Sequence, residues 1–215
     1  MIFSLRQYLR GEVLAADWRK ELKQLYLPSS KEIVEVDIPE MNFLAVDGRG
    51  NPNDSEAFQG AIMALYSMAY TMKFELKKKD PAKDFKVAPL EVLWWNDVSG
   101  ALVPGRKEDW QWSAMIMVPD FIAPDMAEAA KEIAAKKKDL PELPKLRLVK
   151  FHEGRAAQIR YIGPYADEGP TIERIHEFIQ EKGGTLAGKH HEIYMGDPRR
   201  TAPEKLKTVI RQPFR

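Results

Sequence analysis

Apolar positions in the first half of the chain predict strands around one long helix. Residues 54–79 carry an apolar side chain every three to four positions, which is the period of a helix with a buried face. Asp54 and Ser55 stand where the N-cap of that helix is expected. Apolar runs rich in β-branched and aromatic residues predict the strands, with Pro39 separating the first from the second: 31–37, 41–48, 90–95 and 110–118.

The second half of the chain repeats this order. A helix over 124–138 links the two halves, and the helix of the second half covers 171–179. Two strands, LRLVKFHEG and AAQIRYIG, are predicted within about 146–163, and one strand each at 190–195 and 206–212. Each half therefore has the order strand, helix, strand, strand, in which the first strand is either divided in two or bulged.

These patterns predict an α+β protein built from two modules. The modules cover about 31–120 and 145–215, and the helix 124–138 links them. One module alone buries too little apolar surface for stability. We therefore predict tandem strand-helix-strand-strand modules that form one curved antiparallel sheet, with helices on one face and a central cleft. Residues 1–30 precede the modules as a helical extension, in which Asp17 is placed to cap a helix.

The long helix carries a second apolar stripe beside the first. Its members are Met63, Tyr66, Tyr70 and Phe74. The two stripes together are wider than a helix needs for packing on a sheet, so we expect the second stripe to be buried as well.

Composition and charge narrow the possible partners. The 215 residues include 33 basic and 32 acidic side chains, a net charge of +1, so no bulk field attracts nucleic acid or a membrane. The chain has no cysteine, which excludes disulfides, thiolate metal ligands and cysteine nucleophiles. It lacks both a secretory signal pattern and a run of about 18 apolar residues that could span a bilayer. We expect a cytoplasmic monomer or homodimer with no nucleic-acid or membrane partner.

Tryptophan is expected on both sides of the sheet. Trp94 and Trp95 are neighbours on one strand and point apart, whereas Trp110 and Trp112 share a face. The helices cover only one side, so the rings on the other side need another explanation. Core packing, an oligomer contact and ligand contact all remain open for these residues.

Two carboxylates give this aromatic excess a possible function. Aligning the two halves matches Glu91 with Glu192, which places a pair of acidic side chains near the middle of the sheet. A strand glutamate that faces solvent is the ordinary alternative. The candidate ligand contacts are these two glutamates and the rings of Tyr66, Tyr70, Trp94, Trp110, Trp112, Tyr165 and Tyr194.

Two kinds of chemistry suit such a pocket. A flat hydrophobic cation would stack on the rings while a carboxylate supplies the opposite charge. Alternatively, aromatic walls desolvate the carboxylate and raise its pKa, so that it acts as a general acid or base on water or an electrophile. Tyr194 or Tyr165 could then donate a hydrogen bond to a carbonyl group of the substrate.

No metal or other cofactor is expected. His190 and His191 are adjacent on a predicted strand and point apart, so they cannot bind one metal ion together. His152 and His176 have no ligand spacing with each other or with that pair.

Six ordered motifs over about residues 17–215 resemble the stand-alone GyrI-like small-molecule-binding proteins. They are IVEVDIPEMNFLAVDGRGNPN, EAFQGAIMALYSMAY, PLEVLWW, QIRYIGPY, TIERIHEFI and HHEIYMGDPRRTAPEKLKTVIRQP. The resemblance implies tandem modules with a ligand cleft between them. Val92 stands where this family commonly has a small residue, as in PLEGLWW.

The resemblance also implies functions. In relatives fused to DNA-binding domains, the cleft binds bulky aromatic cations above a strand glutamate, and the matching residue here is Glu192. Some stand-alone members are similar to hydrolases that open the cyclopropane ring of DNA-alkylating natural products. By that likeness, Glu192 would orient or activate water with Tyr194 beside it. The family name also refers to a member that inhibits a topoisomerase, so a regulator of a protein target is the third class.

Overall fold

The computed structural model describes residues 16–96 and 107–215. The strands are β1 Val34–Arg49, β2 Leu90–Asn96, β3 Trp110–Val118, β4 Arg147–Ile162, β5 His190–Tyr194 and β6 Lys207–Pro213. The helices are α1 Trp18–Glu21, α2 Lys23–Tyr26, α3 Glu56–Lys79, α4 Pro124–Lys137 and α5 Gly169–Glu181. Residues 1–15 of the predicted helical extension and the connection at 97–106 lie outside the described residues.

The six strands close into one antiparallel barrel. Their order is β1-β3-β2-β5-β6-β4, and β4 pairs back onto β1. The first half of the chain supplies three adjacent strands and the second half the other three, so the halves meet at the β2–β5 pair and at the β1–β4 pair. The predicted fold class, an α+β chain with one antiparallel sheet and helices on it, is confirmed, and the curvature is complete enough to close the sheet.

The long strands β1 and β4 are each continuous. The prediction that Pro39 divides the first strand was wrong, because Ile38 and Glu40 on either side of it both pair with β4. The strand bends instead: Ile38 is buried, and the next buried side chain is Met41, so the alternation shifts by one position. Gly154, the partner of Ile38, has φ of 74°, a left-handed conformation that favours glycine. The bulged alternative therefore applies.

Helix α3 covers the β1–β3 side of the barrel. It begins as predicted, with the Ser55 hydroxyl accepting a hydrogen bond from the Phe58 N–H at 3.1 Å. The prediction that its second stripe is buried was wrong: Met63, Tyr70 and Phe74 are 47%, 47% and 57% exposed. Within the stripe only Tyr66 is half-buried.

The N-terminal extension ends in two short helices rather than one longer helix. The backbone of Leu22, with φ of −116°, leaves the helical region between α1 and α2. Asp17 caps α1 as predicted, accepting a hydrogen bond from the Arg19 N–H at 3.2 Å. Tyr26 at the end of α2 is fully buried, so this segment is part of the core.

Helix α5 covers the second half of the barrel. Its Ile175 and Ile179 are fully buried and pack with Ile159 of β4 and Ile210 of β6. Helices α3 and α5 thus lie on the outer face of the barrel wall, over the two sets of three strands. The β2–β5 pair runs where the two sets join, and its outer face carries the candidate site.

Candidate functional site

The register of β2 and β5 decides which predicted carboxylate belongs to the site. Val92 pairs directly with Glu192, whereas Glu91 pairs with Ile193. Directly paired residues share a face and chain neighbours point to opposite faces. Glu91 and Glu192 therefore lie on opposite sides of the barrel wall. The predicted match between them was wrong by one residue, and a one-residue shift reverses the face of a strand side chain.

Glu192 is held by neighbours on the same face of its own strand. His190 Nε2 lies 3.1 Å from Glu192 Oε1, and the Tyr194 hydroxyl donates to Glu192 Oε2. The indole N–H of Trp94 on β2 donates in turn to the Tyr194 hydroxyl oxygen at 3.2 Å. The side chain of Glu192 keeps 13% exposure while that of His190 has 1%, so Glu192 borders on solvent and its support is buried.

The Glu192 carboxyl is ionised at neutral pH. Burial alone would raise its pKa, but hydrogen bonds from His190, Tyr194 and Trp94, together with the field of His190, hold the pKa below its usual value. The prediction that aromatic walls raise the pKa of the carboxylate was therefore wrong for Glu192. The donors outweigh the desolvation that the aromatic side chains cause.

A second carboxyl, that of Glu168, completes this group. Glu168 immediately precedes α5 and is 3% exposed. Burial, followed by the negative charge of Glu192, raises the pKa of Glu168 to about 9. It is neutral at pH 7. We call Trp94, Glu168, His190, Glu192 and Tyr194 the Glu192 site.

Aromatic rings surround the Glu192 site. The ring of Trp110 lies 5.5 Å from that of Trp94, and the ring of Tyr165 lies 5.3 Å from that of Tyr194, both edge to face. Burial, with the charges of Glu168 and Glu192, raises the pKa of Tyr165 to about 12. Tyr66 of α3 is close enough to contribute to the same shift. These partly exposed rings form walls of the kind that hold a planar apolar ligand.

Two predicted aromatic contacts lie away from the site. Trp112 is fully buried, and its ring packs 5.0 Å from that of Phe58, so it belongs to the core beneath α3. Tyr70 stacks between Tyr66 and Phe74 on the exposed side of α3, with ring centres 6.4 and 6.2 Å away. It extends the aromatic surface along the helix rather than contacting the Glu192 carboxylate.

Glu91 belongs to a buried polar network on the inner face of the barrel. Its Oε1 accepts a hydrogen bond from the Tyr26 hydroxyl at 2.5 Å, and its Oε2 lies 3.1 Å from His191 Nε2. His191 Nδ1 lies 2.9 Å from Glu153, whose other oxygen accepts from Arg211 at 2.9 Å. All of these side chains are at most 1% exposed. Glu91 is therefore a structural residue rather than part of the Glu192 site.

The two adjacent histidines point apart, as predicted, and serve different networks. His190 supports Glu192 on the outer face, and His191 lies between Glu91 and Glu153 on the inner face. Among residues 16–96 and 107–215, no three histidine or acidic side chains are arranged to hold a metal ion. No helix within those ranges is both long and apolar enough to cross a bilayer.

Sequence reasoning missed two members of the site. His190, two residues from Glu192 on a strand, was predicted to share its face, but the only role considered for it was that of a metal ligand. Glu168 has no such indicator, because it lies in a turn and approaches β5 only through the tertiary fold. The result is one ionised and one neutral carboxyl among aromatic rings, able to bind a cation or to transfer a proton.

Comparisons with known proteins identify the family and similar structures. The sequence profile of the GyrI-like small molecule binding domain matches residues 31–215. A conserved protein from Listeria innocua is 38% identical, covers 93% of this chain and 100% of its own, and superimposes with a TM-score of 0.86. Two structures of hydrolases from Listeria innocua give similar values.

The first of these hydrolase structures is 38% identical over 93% of this chain and 100% of its own, with a TM-score of 0.81. The second is 37% identical over 94% of this chain and 100% of its own, with a TM-score of 0.83. No curated protein matches the chain.

Proposed function

Because the chain belongs to the GyrI-like small-molecule-binding family, we propose that it binds bulky, planar, hydrophobic and often cationic compounds at the Glu192 site. The observation that carries this proposal is the state of Glu192, an ionised residue whose side chain is 13% exposed among half-buried aromatic rings. Rings attract the face of a flat cation, and the carboxylate supplies the opposite charge.

The low pKa of Glu192 favours a binding role over a basic one. A general base works best when its pKa lies near the working pH. Three donors stabilise the charge of Glu192 and lower its basicity. The same donors keep the charge in place until a cation arrives, so the carboxylate is preorganised for binding.

Fluorescence titration with ethidium, a planar aromatic cation, tests this role. We expect saturable binding that weakens about tenfold or more in Glu192→Gln, equivalent to about 1.4 kcal/mol, because the variant keeps the shape but loses the charge. Phenanthridine, the uncharged parent ring system, should bind both proteins with similar affinity. Glu173→Gln, an exposed substitution on α5, is the matched control.

Two results would contradict the proposal. One is the absence of saturable ethidium binding to the wild-type protein. The other is equal ethidium affinity in the wild type and Glu192→Gln, which would show that the Glu192 carboxylate does not contribute to binding. Circular dichroism of each variant separates a loss of affinity from a loss of folding.

A hydrolase that opens the cyclopropane ring of DNA-alkylating natural products is the second candidate, with detoxification as its result. The likeness to two Listeria innocua hydrolase structures at 37–38% identity favours it. In this reaction Glu192 would take a proton from water while the water oxygen bonds to the strained ring carbon. The broken C–C bond's electrons would pass to the conjugated carbonyl, whose oxygen gains a proton. Tyr194 donates to Glu192, so it would position that carboxylate.

Turnover distinguishes the two candidates. Substoichiometric protein is incubated with an excess of a spirocyclopropane-bearing alkylator, and mass spectrometry follows the product that has gained one water. A hydrolase converts the excess, and Glu192→Gln slows the conversion. A binding protein returns the compound unchanged when the protein is denatured.

A further inference from the structure

Glu168 is a buried carboxyl without a positively charged partner. It is 3% exposed, and its Oε1 has no hydrogen-bond partner among the described residues. No lysine, arginine or histidine of the described ranges forms an ion pair with it. A buried polar atom that lacks a partner is costly, so its retention calls for an explanation.

The surroundings of Glu168 contain a negative charge and several hydroxyl groups. The groups that face it are Glu192 and Tyr194 from β5, Thr208 from β6, Tyr161 from β4 and Tyr165 from the turn before α5. His190 is directed at Glu192 instead, at 3.1 Å. The hydrogen-bond donors of the site thus stabilise Glu192 and leave Glu168 without compensation.

Two buried carboxyls that interact this closely do not both ionise unless a positive charge lies beside them. The N-terminus of α5 favours an anion at Glu168, but this effect is smaller than burial combined with a like charge. Burial and the field of Glu192 raise the pKa of Glu168 to about 9. The pair therefore holds one proton at neutral pH, and the proton resides on Glu168.

We propose that Glu168 is a second acidic ligand of the Glu192 site, which is neutral while the site is empty and loses its proton to solvent when a cationic ligand binds. This inference rests on the proposed binding function. A cation beside the pair supplies the missing compensation, so both carboxyls become ionised and one O–H bond of Glu168 breaks as the proton leaves.

This arrangement makes the site selective for charge without a fixed double negative charge. An uncharged aromatic ligand leaves the proton on Glu168 and meets only one carboxylate. A cationic ligand displaces the proton and contacts two carboxylates. Its affinity should therefore rise with pH by about tenfold per pH unit at neutral pH, because each binding event releases about one proton.

Isothermal titration calorimetry with ethidium tests the coupling. Titrations at one neutral pH in phosphate and in Tris, two buffers with different ionisation enthalpies, give the number of protons released. We expect about one proton per ethidium in the wild type and in Glu173→Gln, and almost none in Glu168→Gln. Phenanthridine should release none from any of the three proteins.

Infrared spectroscopy tests the empty site without a ligand. The wild-type protein at neutral pH should show the C=O stretching band of a protonated carboxyl, which disappears in Glu168→Gln and persists in Glu173→Gln. A band that is absent, or unchanged in Glu168→Gln, overturns the inference whether or not a ligand binds.

The two proposals fail in different ways. Ethidium binding without proton release, or with equal release from Glu168→Gln, overturns the role of Glu168 and leaves the proposed function intact. Absence of ethidium binding overturns the proposed function together with the cation coupling.

Discussion

Glu153→Gln removes the carboxylate that lies between His191 and Arg211 on the inner face of the barrel. Burial opposes ionisation of Glu153, but the charges and hydrogen bonds of His191 and Arg211 outweigh it and lower its pKa from 4.5 to about 2. At about 1.4 kcal/mol per pH unit, this change corresponds to about 3 kcal/mol of stability. The pKa of His191 is raised from 6.5 to about 9 by the same contact with Glu153, so this shift does not increase the stability contribution further.

The pH range of this contribution follows from the two pKa values. Glu153 contributes stability above pH 4.5, and the contribution is lost as the pH falls towards about 2. His191 has a raised pKa, so its contribution is complete below pH 6.5 and is lost as the pH rises to about 9. The Glu153–His191 contact therefore makes its full contribution to stability between pH 4.5 and 6.5.

Thermal unfolding measured by circular dichroism tests this reasoning. Between pH 4.5 and 6.5 we expect Glu153→Gln to unfold about 6–12 °C below the wild type, since about 1 kcal/mol corresponds to about 2–4 °C in a chain of this size. The difference should narrow as the pH rises to about 9. The variant also leaves the buried Arg211 guanidinium without its carboxylate partner, which adds to the cost.

Glu35→Gln is the matched control. Glu35 forms an ion pair with Arg155 at 2.7 Å, but the two side chains are 40% and 49% exposed. Solvent screens such a pair, so the melting temperature should hardly change. Equal melting temperatures for Glu153→Gln and the wild type, or a difference that stays constant from pH 6.5 to 9, would refute the reasoning.

Three further substitutions test other parts of the structure. Tyr26→Phe removes the donor to fully buried Glu91 and should cost about 1–3 kcal/mol in urea unfolding; unchanged stability would mean that Glu91 finds another donor. Gly48→Ala places a Cβ 2.1 Å from the buried Trp112 ring and should cost about 2–3 kcal/mol; a cost near zero would show that the ring can move. Glu168→Gln should gain stability relative to the wild type as the pH rises from 4.5 to about 9, by about 3 kcal/mol at pH 7, because Glu168 ionises on unfolding over that range; parallel pH profiles would contradict its raised pKa.

Much of the architecture could be predicted because it is encoded locally. The period of apolar residues identified α3 and its Ser55 cap, and alternating runs identified β2, β3, β5 and β6 close to their observed bounds. The predictions were wrong where a tertiary contact overrode a local sequence rule. Pro39 interrupts an isolated strand, but here β4 pairs on both sides of it and the strand only bends.

The candidate site was predicted in part. The position of Glu192 in a strand among aromatic residues, with Tyr194 on the same face, follows from alternation along β5. Glu91 was placed wrongly because internal similarity aligns sequences without fixing strand register, and one residue decides the face. Trp112 is as aromatic as Trp94, yet Phe58 and Gly48 enclose it in the core.

The sequence by itself determined most of the elements, their order, the family and the presence of a carboxylate among aromatic rings. These properties depend on residues that are near one another along the chain. Only the tertiary structure decided which carboxylates meet, because Glu168 and Glu192 come together through the packing of α5 on β4 and β6. It also decided their charges, since burial and neighbouring donors, rather than residue type, make Glu192 an anion and leave the proton on Glu168.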